Sequence, residues 1–196
     1  MRRSLIFILT LGAFSLAAHG QVAEIGVYGG ANRHSNNEIG TLTVDPTESS
    51  QVTLDDGWKF GFRVTFNNAR FFGHELGYGY NRTQLNIEGE QQGMAIHQGF
   101  YNFLVYGTPE GSRIRPFATG GVHFANYTPP GSSATYGQGD TKFGINYGGG
   151  IKARISQLFL IRFDVRRFST PKPFDLPNAN GWLNQLEVSA GFSLAL

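Results

Sequence analysis

At 196 residues, with 40% hydrophobic and 14% aromatic side chains and 27 glycines, the chain has the length of a single domain. It contains no cysteine, which excludes disulfides and thiolate chemistry. The formal net charge of +2 includes Arg2 and Arg3; without them, 14 of the 16 basic residues stand against 14 acidic ones, and no basic run elsewhere points to nucleic acid.

Arg2 and Arg3 precede an apolar run from Leu5 to Ala18, and Ala18-His19-Gly20 puts small residues where a signal peptidase cuts. Residues 1–20 therefore read as a cleavable secretory signal, leaving one domain over 21–196. The run is short for a spanning helix, which needs about 20 apolar residues. No later segment is apolar enough for such a helix, so any passage through a membrane must be made by strands.

The mature chain is predicted as strands in order. Val22 to Ala31 alternates Ile25 and Val27 with Glu24 and Gly26, and a polar loop without a core-forming pattern is expected over residues 32 to 56. Trp58, Phe60, Phe62, Val64 and Phe66 then alternate with Lys59, Gly61, Arg63 and Thr65, before a tight turn at Asn67 to Arg70. Phe72 to Arg82 sets Leu76, Tyr78 and Tyr80 against Glu75, Gly77, Gly79 and Asn81, and a second polar loop is expected from Thr83 to Gly93. The fourth strand, Ala95 to Tyr106, is phased with Tyr101, Phe103 and Val105 outward, and Asn102, Leu104 and Tyr106 inward. A turn through Pro109, Glu110 and Gly111 leads to Pro116 to Tyr127, phased with Val122 and Phe124 outward and His123 inward.

After a third loop, Thr128 to Thr141, the alternation is plainest. Phe143, Ile145, Tyr147 and Ile151 oppose Lys142, Asn146, Gly148, Gly150 and Lys152. Beyond a break at Ser156 and Gln157, Phe159, Ile161, Phe163 and Val165 oppose Arg162, Asp164 and Arg166. A fourth loop, Ser169 to Gly181, carries three prolines, and the eighth strand runs from Trp182 to Leu196 with Leu186, Val188, Ala190, Phe192, Leu194 and Leu196 outward.

Side chains alternate across a strand, so each segment has one apolar face and one face of charge and glycine. Glycine weakens a strand unless something must come close to it. A narrow barrel interior supplies that reason, whereas an exposed soluble face does not. Charge and glycine are therefore read as inward, and the aromatic and aliphatic side as facing lipid. The fold expected is all-β: an eight-stranded antiparallel up-and-down transmembrane β-barrel, with short periplasmic turns, longer external loops and both termini periplasmic. Trp58, Tyr78, Tyr80, Tyr147 and Trp182 suit interfacial aromatic girdles.

Three runs carry a resemblance: Asn146-Tyr147-Gly148-Gly149-Gly150, Arg162-Phe163-Asp164-Val165-Arg166, and the C-terminal Ser189-x-Gly191-x-x-Leu194-x-Leu196. With them the mature sequence resembles the small eight-stranded outer-membrane barrels, the OmpA-type transmembrane domain and OmpX-like family. The resemblance implies a location in the outer membrane after export through the periplasm, and contact with outer-membrane lipid and lipopolysaccharide. It also implies dealings with periplasmic chaperones and the barrel-assembly machinery, for which Ser189, Gly191, Leu194 and Leu196 are similar to an insertion signal. Members often end in an aromatic residue; this chain ends in Leu196. No peptidoglycan-binding domain is expected to follow.

A barrel of eight strands is just wide enough inside for side chains to fill. Those placed inside include Glu24, Glu75, Asp164 and Glu187 against Arg63, Lys152, Arg162 and Arg166. Confined charges are costly unless paired, so a salt-bridged plug is expected, with function on the external loops, whose ligand is unknown. A narrow channel is the alternative, in which some pairs part. A lipid A-modifying enzyme is a third reading, resting on the adjacent His34 and Ser35, and a lipocalin-like binder a fourth. No catalytic residue, cofactor or metal is assigned. His74, His97 and His123 lack metal-ligand spacing, Gly148-Gly149-Gly150 lacks the Lys and following helix of a phosphate loop, and Asp45, Asp55, Asp56, Arg167 and Lys172 are read as solvated loop charges.

Overall fold

The computed structural model describes residues 22–45, 48–134 and 138–196. The secretory signal expected over residues 1–20 lies outside the described residues. Ten strands follow in order: β1 (Val22–Ser35), β2 (Glu38–Asp45), β3 (Glu48–Leu54), β4 (Gly57–Ala69), β5 (Phe72–Ile87), β6 (Glu90–Tyr106), β7 (Ile114–Thr128), β8 (Asp140–Arg154), β9 (Phe159–Pro171) and β10 (Trp182–Ala195). Eight of them close into an antiparallel barrel in which β1 pairs with both β4 and β10, and the ring is completed by β5 against β6.

Period two decides which way each wall faces. Along β4, Lys59, Arg63, Thr65 and Asn67 are buried while Trp58, Phe60 and Phe62 are about half-exposed. Along β9, Arg162, Asp164 and Arg166 are 1% exposed, whereas Phe163 is 60% exposed. Apolar side chains therefore form the outer wall and charged ones the interior, the reverse of a soluble barrel. Tyr101, Phe103 and Val105 are exposed between buried Asn102, Leu104 and Tyr106, and Val122 and Phe124 flank buried His123, so both phases follow the sequence expectation. The outer wall carries the expected aromatics: Trp58 stacks on Phe60 at 5.7 Å, and Phe60 lies 5.4 Å from Tyr80.

Inward glycines make room for large neighbours. The Tyr28 ring lies 2.7 Å from where a Gly61 side chain would begin, and the Phe100 ring occupies that place at Gly77.

Two expected loops are corrected. Residues 32 to 56 are not structureless: β1 continues to Ser35, and β2 and β3 form a hairpin. Val52, Thr53 and Leu54 of β3 pair with Ile87, Asn86 and Leu85 of β5. Burial of Ile39, Val52 and Leu54 with Leu85, Met94, Ile96, Tyr127 and Leu183 drives this folding, since the cluster roofs the outer end of the bore. The second correction concerns residues 83 to 93. β5 and β6 run on as one ladder to the pair Ile87 and Glu90. Glu88 and Gly89, at φ 56° and 86°, make the connection, and positive φ at both positions is what the tightest hairpin turns need. The long-loop pattern therefore fails after the third barrel strand.

Two outcomes are expected. Phe163→Arg, near the middle of β9, should cost about 2 to 4 kcal/mol in urea-dependent unfolding in lipid; unchanged stability would mean that this face does not meet hydrocarbon. Ile39→Ala should cost roughly 2 to 4 kcal/mol locally, read as faster amide exchange in β2 and β3 with the barrel strands unaffected.

Candidate functional site

Among the described residues the bore is where strands distant in sequence bring most of their buried charges together, and it is filled in layers. Nearest the end where β1 begins and β10 ends, Glu24 of β1 meets Lys152 of β8 at 2.6 Å. Asn67 donates to Glu24 at 2.8 Å, and Lys152 donates to the Tyr106 hydroxyl at 2.8 Å.

Above this lies the densest layer, three guanidiniums on two carboxylates. Arg166 reaches Glu75 at 2.6 Å and Asp164 at 3.0 Å. Arg162 pairs with the same two acids, meeting Asp164 at 2.9 Å. Arg63 of β4 reaches the other Asp164 oxygen at 3.0 Å, and Thr65 donates to Glu75 at 3.1 Å. All five charged groups are at most 2% exposed. At such burial the Coulomb attraction is strong but desolvation is costly, so the arrangement depends on the many hydrogen bonds that accompany it.

An aromatic layer of Tyr28, Phe100 and Phe168 follows. The Arg63 guanidinium carbon sits 4.1 Å from the Tyr28 ring centre and the Lys59 ammonium 4.3 Å from that of Phe168, which gives both cations a partner besides carboxylate. Lys59 then pairs with Glu187 and donates to Gln98 at 2.8 Å. Ser189 donates to the other Glu187 oxygen at 3.0 Å, and Gln98 donates to Gln185 at 2.7 Å. The apolar roof completes the stack.

Glu24, Arg63, Glu75, Lys152, Arg162, Asp164, Arg166 and Glu187 thus all lie in the bore and in ion pairs. Sequence reasoning missed Lys59 as a member. Its position four residues before Arg63, on the same strand face, was the available signal. With Lys59 the network holds five cations against four carboxylates, and an Arg63 nitrogen, Nη2, has no hydrogen-bond partner. In the C-terminal run, Ser189 is buried in the bore, while Leu194 and Leu196 are exposed on the outer wall.

The other singled-out residues are not brought together. Being adjacent on a strand, His34 and Ser35 point to opposite sides: His34 is buried with Nδ1 2.9 Å from the Asp55 carbonyl, and Ser35 donates to the Asn184 carbonyl. His74 and His97 lie on the outer wall against the hydroxyls of Tyr101 and Tyr78, whereas His123 packs edge-on to Phe168 inside. Among the described residues no three metal-ligating side chains cluster. Asp56 accepts from the His34 amide at 2.9 Å and Asp55 from Gln91 at 3.3 Å; Arg167 donates to Asn184 on the outer wall at 3.4 Å.

Comparison with known proteins agrees with this architecture. Residues 6–193 match the family model described as the outer membrane protein beta-barrel domain. Similar solved structures include Neisserial surface protein A (12% identity, TM-score 0.61, covering 89% of this chain and 98% of that one). OprG from Pseudomonas aeruginosa is also similar (14% identity, TM-score 0.63, 90% and 96%), as is AlkL determined in DMPC lipid bilayers (13% identity, TM-score 0.58, 92% and 92%). At these identities the likeness is one of fold. No curated protein matches the sequence significantly. Inward charge, a lipid-facing outer wall, closure by eight strands and the family match converge: the chain belongs to the outer-membrane protein β-barrel family and resides in the outer membrane.

Proposed function

We propose that the protein is a closed barrel that anchors a rigid external surface, acting as a structural or surface-interaction protein without a catalytic step. The observation that carries this reading is the continuous filling of the bore, from Glu24 and Lys152, through the Glu75 and Asp164 layer, to the apolar roof. An ion entering would have to part several ion pairs that have no bulk water to replace them, and that cost opposes conduction. Among the described residues part of the external surface is built of strands, which suits a binding role: the β2–β3 hairpin joins the β5–β6 extension, and the Thr41 amide donates to the Pro177 carbonyl of the β9–β10 connection at 2.9 Å. A surface already ordered loses little conformational entropy on binding. In the same reading Ser189, Gly191, Leu194 and Leu196 serve as the insertion signal for the barrel-assembly machinery, and lipopolysaccharide surrounds the outer half of the wall.

Single-channel recording of the refolded protein in a planar bilayer tests this. Silence is expected from a barrel whose folding is verified by heat-modifiable mobility; discrete, salt-dependent openings would replace the reading with that of a narrow channel. Asp164→Ala, which leaves Arg63 without an ion pair and Arg162 and Arg166 on Glu75 alone, should cost about 3 to 5 kcal/mol in urea titration. A neutral outcome would mean a hydrated lumen.

A further inference from the structure

Outside the bore, charge is divided between the two ends of the barrel. The external end holds most of the acids, among them Glu38, Asp55, Asp56, Glu88 and Glu90. The opposite rim, periplasmic because β1 begins and β10 ends there beside the short β4–β5 and β8–β9 turns, is basic. There Arg70 on the β4–β5 turn, Arg113 before β7, Arg115 at the mouth of the bore at the start of β7 and Arg154 at the end of β8 share one end of the barrel with a single carboxylate, Glu110.

Glu110 is already committed. It pairs with Arg115, which is 1% exposed and lies 3.6 Å from the Tyr106 ring centre, and with Arg154 at 3.3 Å. Backbone bonds bring the other two arginines to the same place: the Glu110 amide donates to the Arg70 carbonyl at 3.0 Å, and the Arg154 amide to the Arg113 carbonyl at 2.8 Å. Arg70 and Arg113 are exposed, and neither makes an ion pair among the described residues. Nε of Arg115 and of Arg154 is buried without a hydrogen-bond partner. Those two nitrogens are enclosed, so what the rim offers outward is the charge of Arg70 and Arg113, which no carboxylate among the described residues neutralises.

Apolar surface adjoins these cations. Ile114, between Arg113 and Arg115, and Ile155, after Arg154, are each 59% exposed. On the outer wall just beside them is a groove of about 340 Å³, lined by Val105, Gly107, Pro116 and Ala118 over the backbone of Tyr106 and Phe117. Guanidinium groups at the water boundary with an apolar groove running into the lipid zone match one chemistry: a phosphodiester joined to acyl chains. A soluble anion would engage the arginines alone.

We propose that this rim binds an anionic glycerophospholipid of the periplasmic leaflet. Arg70 and Arg113 grip the phosphate, Arg154 and Glu110 frame it, and an acyl chain lies in the groove at Val105 and Ala118. Guanidinium is suited to this because its planar fork donates two parallel hydrogen bonds to phosphate.

Native mass spectrometry of the full barrel, titrated in detergent with dioleoylphosphatidylglycerol or dioleoylphosphatidylcholine, tests the proposal. The wild-type protein should hold the anionic lipid in preference to the zwitterionic one. Arg70→Gln/Arg113→Gln, which leaves both Glu110 ion pairs in place, should weaken phosphatidylglycerol binding about thirtyfold. Arg33→Gln/Arg167→Gln at the other end should leave it unchanged, and excess inorganic phosphate should not displace the lipid. Heat-modifiable mobility verifies that both variants are folded. Undiminished lipid retention by the rim variant, equal loss in the distal variant, or displacement by phosphate would each overturn it, the last reducing the rim to a simple anion site.

Discussion

In hydrocarbon no water is present to take up an unpaired N–H or C=O, so a sheet survives there only without edges. Closure of β5 against β6 and of β1 against β10 meets that demand. Everything else in the molecule follows from it. Closing eight strands leaves a bore too narrow for bulk water, and side chains inside must be satisfied by one another. The ion pairs are the consequence of a geometry that gives inward residues no other partners.

That dependence explains why the bore is built in alternating layers. Three guanidiniums bonded to Glu75 and Asp164 leave positive charge in excess, and the rings of Tyr28, Phe100 and Phe117 stand where those cations need a second partner, as Phe168 does for Lys59. Gly61 and Gly77 are the complement of the Tyr28 and Phe100 rings: the wall thins where a ring from the neighbouring strand lies over it. Charge, ring and glycine are thus one packing solution read at three residue types.

Much of this was legible in the sequence because lipid imposes a strict period of two. Trp58 to Phe66 and Phe159 to Val165 repeat aromatic or aliphatic residues on one face without a break, and their phase assigns Arg63, Arg162, Asp164 and Arg166 to the interior. The method fails where lipid no longer touches the strand. Beyond Arg82 the outward face of β5 turns polar, at Gln84 and Asn86, while Leu85 and Ile87 turn to the roof, so the lipid-facing alternation stops and the stretch reads as loop although the ladder continues. Ile39, Val52 and Leu54 failed to register for a related reason: their partners Met94, Ile96 and Leu183 are contributed by other strands, and a roof assembled from distant segments leaves no local period. Lys59 was visible as inward, but its pairing with Glu187 is a fact of tertiary structure alone.

The sequence distance of those pairings bears on how the barrel comes into being. Lys59 with Glu187, and Lys152 with Glu24, each join residues 128 apart, and the seam sets Glu24 opposite Ala195. An emerging polypeptide therefore holds stranded, mutually unneutralised charges and two raw sheet edges until its last segment has left the ribosome and crossed the inner membrane. Maturation of such a chain is all-or-nothing and has to be deferred, which makes the waiting period before insertion, rather than the finished structure, its moment of greatest exposure to aggregation and proteolysis.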